Sequence, residues 1–142
     1  MIRTFISEDL DYVMRIWLDA NTQSHDFIDK QFWLRNFEFV KEVIPTSEVY
    51  VFENDGEIQA FVGLENGFIA GIFVAESVQS KGIGGQLLSK CKKLYTELSL
   101  HVYEKNKRAT AFYLREGFIV EKRLINEQTQ EPELLMRWKK KT

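Results

Sequence analysis

One cysteine, two prolines and two histidines are all that 142 residues hold of three residue types that often dictate a small protein's architecture. The single thiol, Cys91, cannot close an internal disulfide, and His25 with His101 makes no cluster spaced like a zinc site. Neither a disulfide framework nor a structural metal is therefore expected. A basic excess is also missing, since 19 Lys and Arg stand against 21 Asp and Glu, for a net charge of −2 and a pI of about 5.8. No global positive field calls for nucleic acid or an anionic membrane surface. No apolar run approaches the ~18 residues of a membrane span, and Glu8, Asp9 and Asp11 fall where a signal peptide would need its apolar segment. The expectation is a cytoplasmic protein with neither a nucleic-acid nor a membrane partner.

What the chain does have is enough apolar matter, 44% hydrophobic and 13% aromatic, for one substantial core. A length of 142 residues then predicts a single domain over 1–142, and no repeat, linker or low-complexity stretch divides it. The organising stretch runs from Phe68 to Leu88. Apolar residues from Phe68 to Val74 read as a strand, Glu76 to Lys81 as a polar bend, and Gly82-Ile83-Gly84-Gly85 as the opening of a helix. The first N–H groups of a helix lack intrahelical partners and lie at the positive end of its dipole, so an anion, usually phosphate, can bind there. Glycines let the main chain approach it closely. Two familiar phosphate motifs do not fit. Lys81 precedes the glycines instead of following them as in a P-loop, and Leu87 stands where a dinucleotide fingerprint needs its third glycine.

The pattern Gln79-x-x-Gly82-x-Gly84 resembles the Arg/Gln-x-x-Gly-x-Gly/Ala signature of the GNAT superfamily of N-acetyltransferases. A second block, Asn106-Lys-Arg-Ala109-Thr-Ala-Phe112-Tyr113-Leu-Arg-Glu-Gly117-Phe118, is similar to that family's Asn-x-x-Ala-x-x-Phe-Tyr-x-x-x-Gly-Phe helix, in the right order and at the right separation. The resemblance implies an α/β fold, a mixed central sheet of about six to seven strands with flanking helices. In it the strand ending at Val74 splays from the next parallel strand. It also implies acetyl-coenzyme A as cosubstrate, with no metal. Gln79, Lys81, Gly82, Ile83, Gly84 and Gly85 would receive the pyrophosphate, main-chain groups of Ile72 and Val74 would pair with the pantetheine arm, and Asn106 would contact that arm. Asn106 also sits where a helix N-cap belongs, and capping alone accounts for it. Two departures stand out: no proline follows the Val74 strand, and the signature opens on Gln79 rather than Arg.

The rest of the chain reads simply. Met1 to Ile6 predicts a strand, and a helix follows with Ser7 as N-cap and Leu10, Val13, Met14, Trp17 and Leu18 on its apolar face. Phe27 to Ile44 predicts a second helix ended before Pro45. Glu48–Glu53 and Glu57–Leu64 form a hairpin through Asp55-Gly56, and Asn66-Gly67 turns the chain into the Phe68 strand. After the glycine loop, Ile83, Leu87, Leu88, Cys91, Leu94 and Tyr95 share a helix face, which makes Cys91 a core residue. Leu98–Tyr103 should lie parallel to the Phe68 strand through a right-handed crossover. A helix over Asn106–Glu116 ends at Gly117, and strands Phe118–Leu124 and Glu133–Trp138 close the chain.

Amine attack on a thioester expels a thiolate, and a thiol with pKa near ~8.5 readily takes a proton from a positioned hydroxyl. By resemblance Tyr113 is that general acid; otherwise it packs. An alkyl amine with pKa near ~10.4 must shed a proton before it attacks. His25, unperturbed near ~6.5, Glu65 and Glu104 are the candidate bases. His25, Phe27, Trp33 and Trp17 together suggest an aromatic wall for the acceptor. The reading is an N-acetyltransferase acting on a small-molecule or protein amine by direct attack, as monomer or homodimer. A non-catalytic acyl-coenzyme A module is the alternative, and a generic nucleotide-phosphate binder is disfavoured because both nucleotide fingerprints fail.

Overall fold

The computed structural model describes residues 1–141, and among these lie seven strands and four α-helices. In chain order they are β1 (Ile2–Thr4), α1 (Leu10–Ser24), α2 (Lys30–Val43), β2 (Glu48–Asn54), β3 (Glu57–Glu65), β4 (Phe68–Val74), α3 (Ile83–Leu94), β5 (Glu97–Tyr103), α4 (Lys107–Arg115), β6 (Ile119–Ile125) and β7 (Pro132–Lys139). One mixed sheet takes the order β1-β2-β3-β4-β5-β7-β6, in which only β4 and β5 run parallel. β7 inserts between β5 and β6, pairing with β5 along its whole length from Glu97↔Lys139 to Tyr103↔Glu133.

Strand alternation sends neighbouring side chains to opposite faces, and both faces are covered by helices. Val49, Val51 and Phe61 pack with Val13, Trp17 and Trp33 of α1 and α2. Ala60, Val62 and Leu64 point the other way, onto Leu87, Leu88 and Cys91 of α3 and Tyr113 of α4. Burial pushes the Cys91 thiol up to about 11, as suits a core packer and not a nucleophile.

Several local expectations are corrected. Ser7 does not cap α1, because its hydroxyl donates to Glu8. No side chain caps α1; the buried Asp9 instead accepts the Ile6 N–H at 2.9 Å and pairs with Arg3 at 2.8 Å. α2 begins three residues later than the aromatic run suggested, since Asp29 accepts the Gln31 N–H at 2.8 Å and so sets the helix start. Leu94, expected on the buried face of α3, is exposed at the end of that helix.

The splay is present. β4 and β5 pair only at Phe68↔Ser99 and Ile69↔Leu100, and their C-terminal halves diverge. β4 stays tied to β3 through Val74, so the divergence does not loosen it. α4 is fixed at its far end by Gly117, which has φ +95, and by Lys92, whose Nζ donates to the Glu116 carbonyl at 2.6 Å. A Cβ at Gly117 would also stand 3.4 Å from the Trp138 ring. Gly117→Ala should therefore cost about 1–2 kcal/mol, the usual penalty for a side chain in the left-handed region. For a domain of this size that lowers the melting temperature by about 2–8 °C in a thermal scan; an unchanged transition would show that the turn relaxes freely.

Candidate active site

The parted halves of β4 and β5 open a crevice of about 560 Å³ that runs between the start of α3 and the buried face of α4. Ile72 and Val74 line it from β4, as do Gln79, Ser80 and Gly82 to Gly85 from the loop and α3, and Asn106, Ala109 and Tyr113 from α4. The loop itself has two left-handed residues, Ser80 at φ +67 and Gly82 at φ +82, which turn the chain from β4 into α3. No side chain caps α3, so its opening N–H groups remain free on the crevice side. A Cβ at Gly84 would lie 3.8 Å from Phe112 and 3.9 Å from Ile72 and Val74, an ordinary contact that fills part of the crevice floor without displacing protein. Lys81 is different from its neighbours, being exposed and absent from the crevice lining.

Gln79 bridges three elements. Its Nε2 donates to the Val74 carbonyl at 3.1 Å and lies 3.4 Å from Gln23 Oε1 on α1, while its Oε1 accepts from Arg108 Nη1 at 3.1 Å. The Val74 carbonyl is thus engaged by Gln79 in this structure, whereas the sequence left it free for a ligand. Arg108, which sequence reasoning passed over, also donates from Nη2 to Ser80 Oγ at 2.7 Å. Its position two residues beyond Asn106, in the first turn of a helix facing a glycine loop, was the available signal.

Asn106 caps α4, as its position in the sequence allowed, and also holds a second partner. Its Oδ1 accepts the Ala109 N–H at 3.2 Å and caps α4, and its Nδ2 lies 3.1 Å from His25 Nε2 at the end of α1. The cap fixes the amide orientation, so Nδ2 is a donor and His25 Nε2 must be an acceptor. His25 is then the tautomer protonated on Nδ1, a buried atom with no well-formed hydrogen bond. The ring stacks on Trp33 at 5.3 Å and meets Phe27 and Tyr103 edge-on at 5.7 and 5.1 Å. Burial in this aromatic surround lowers the imidazole to about 4, against a smaller upward pull from the Asn21 backbone. The ordinary value near ~6.5 expected from sequence is corrected accordingly.

Of the four aromatic residues suggested as an acceptor wall, His25 alone lines the crevice; Trp17 and Trp33 are 7% exposed and pack edge to face at 5.8 Å in the core between α1 and α2. Glu65 lies at the β3–β4 turn, where it pairs with Phe68, so it sits at the opposite end of β4 from the loop. Glu104 follows β5 and is held ionised by Arg123 at 2.8 Å, which keeps its carboxyl below the ordinary range. Tyr113, also 7% exposed, reaches the crevice from the core, and burial raises its phenol above the ordinary value of ~10. Its hydroxyl makes no hydrogen bond among the described residues. It is therefore protonated at any working pH and available to a ligand.

Comparison with known proteins places this geometry. The family description "Acetyltransferase (GNAT) domain" matches residues 45–120, which span β2 to the start of β6 and so include both walls of the crevice. Peptidyl-lysine N-acetyltransferase YiaC of Escherichia coli is 31% identical over 140 residues, covering 97% of this chain and 96% of the relative. The chain belongs to the GNAT acetyltransferase family. A second Escherichia coli relative of this acetyltransferase, peptidyl-lysine N-acetyltransferase YjaB, is 25% identical over 84% of the chain and 82% of its own length. The solution structure of apo YjaB superposes with a TM-score of 0.87 over 99% of the chain and 98% of its own, at 23% identity. YncA of Salmonella typhimurium, solved with its cofactor acetyl-CoA, shares the fold at a TM-score of 0.69 and 15% identity, over 100% of this chain and 94% of its own. Among the described residues, no helix is long and apolar enough to cross a membrane, and no three metal-ligating side chains come together.

The His25 shift has a measurable sign. The unfolded imidazole titrates near ~6.5 and the folded one near about 4, so between these values the folded acetyltransferase binds fewer protons. Stability supplied by the neutral ring is complete above pH ~6.5 and is lost as pH falls toward 4. Urea titrations across that window should show a slope shallower by up to ~1.4 kcal/mol per pH unit in His25→Asn than in the wild type. Equal slopes would show that His25 is not held neutral.

Proposed function

We propose that this acetyltransferase moves an acetyl group from acetyl-coenzyme A to a primary amine by direct attack in a ternary complex, with a protein lysine as the acceptor class. The observation that carries the reading is a single crevice joining the uncapped start of α3 to the Tyr113 hydroxyl, with diverging strands between them. The residues fit an extended, phosphate-bearing thioester. Free N–H groups of Gly82 to Gly85 suit the pyrophosphate, and the space facing Gly84 leaves it room. Backbone of β4 beyond Ile69 has no β5 partner and can pair with pantetheine amides as an added strand, with Ile72 and Val74 as contact points. Release of the Val74 carbonyl by Gln79 is part of that docking. The bound cosubstrate supplies an activated acetyl thioester. The names of YiaC and YjaB favour lysine over small amines as the acceptor.

Tyr113 holds a proton at the buried end of the crevice for the departing sulfur. His25 serves as an anchor, not as the base, since its Nε2 lone pair is taken by Asn106 and its ring resists protonation at neutral pH. In this reading Asn106 keeps its cap on α4 and thereby sets the helix that presents Tyr113, and the amine releases its proton to water at the open mouth of the crevice.

Coenzyme A at about 100 times its dissociation constant should stabilise the protein by ~2.7 kcal/mol, and Gly84→Glu should abolish most of that gain while the unliganded melting temperature stays close to wild type. Full stabilisation of a folded Gly84→Glu variant would place the phosphates elsewhere. Tyr113→Phe keeps the ring in the core and removes its proton, so acetyl transfer to lysine peptides should slow by about 10²–10⁴ with coenzyme A affinity nearly constant in calorimetry. Wild-type turnover in this variant would reduce Tyr113 to a packing residue.

A further inference from the structure

Two cations border the phosphate loop, and the structure treats them oppositely. Lys81, beside the glycines in sequence, is exposed and is not among the residues that line the crevice. Arg108, far from them in sequence, reaches across from α4 and donates to Gln79 Oε1 at 3.1 Å and Ser80 Oγ at 2.7 Å. Both acceptors are neutral, and no carboxylate pairs with this guanidinium among the described residues. The acceptors also belong to the loop whose N–H groups are free, and one of them, Ser80, holds the left-handed φ of +67 that few serines adopt. A guanidinium fork kept clear of carboxylates beside unpaired main-chain donors is complementary to two oxygens of a phosphate.

We infer that Arg108 is the side-chain cation that binds the pyrophosphate of the cosubstrate. The inference rests on the reading of the crevice as the acetyl-coenzyme A site. It adds a mechanical link, because Arg108 and Tyr113 lie on one helix. A phosphate held jointly by Arg108 and the loop fixes α4 against α3, and with it the depth at which Tyr113 stands in the crevice. Arg115, two turns further along α4, also lines the crevice and lies about 10 Å beyond Arg108, too far to share the same phosphate.

Calorimetric titration with coenzyme A tests this on the whole protein, with melting curves reporting the fold of each variant. Arg108→Ala should weaken binding by about 10- to 100-fold, the loss expected for charge-assisted hydrogen bonds, and Lys81→Ala should leave it unchanged. Arg108→Lys should retain part of the affinity and Arg108→Gln almost none, although glutamine can still brace the loop. The Arg108→Ala penalty should persist with dephospho-coenzyme A, which keeps the pyrophosphate and lacks the 3′-phosphate. Wild-type affinity in a folded Arg108→Ala protein, full rescue by Arg108→Gln, or a penalty that disappears with dephospho-coenzyme A would each overturn the assignment. Failure of the wild-type protein itself to bind coenzyme A would instead overturn the reading of the crevice.

Discussion

Everything at the active site follows from two parallel strands that stop pairing. β4 and β5 share two residue pairs and then separate, although unpaired strand edges inside a sheet ordinarily close on each other. Each remains paired on its other side, β4 to β3 as far as Val74 and β5 to β7 as far as Tyr103. α3 and α4 both start beyond the C-terminal ends of these strands, so one brings free N–H groups to the gap and the other brings Asn106, Ala109 and Tyr113.

Burial then acts on the titratable groups in a single sense, favouring their uncharged forms. It pushes the His25 imidazole down and the Tyr113 phenol up, so both are neutral across the physiological range. The guanidinium of Arg108 remains at the solvent-facing rim of the crevice. This division suits a ligand that is charged at one end and apolar at the other.

Local signals in the sequence carried most of the fold. The Asp55-Gly56 and Asn66-Gly67 turns, the glycine opening of α3 and the left-handed Gly117 are written in residue types whose backbone preferences act over a few positions. Non-local features were not legible in the same way. Nothing in the residues of β6 and β7 says that the later strand lies inside the earlier one, because both alternate similarly and the choice is made by β5. The site divided along the same line: the two motifs name the loop glycines and Tyr113 that line one crevice, whereas the contacts of Arg108 with Gln79 and Ser80 join segments far apart in the chain and carry no local signal. The pKa of His25 was out of reach too, since the Phe27, Trp33 and Tyr103 rings around it come from separate segments of the chain.

The insertion of β7 has a consequence for how the enzyme is made. During synthesis β5 and α4 leave the ribosome well before β7, yet until β7 arrives β5 holds to the sheet through two residue pairs and β6 has no strand to join. Without β7, the crevice wall formed by β5 and α4 is held to the sheet by those two pairs alone. Completion of the crevice therefore waits on β7, whose pairing runs the whole length of β5.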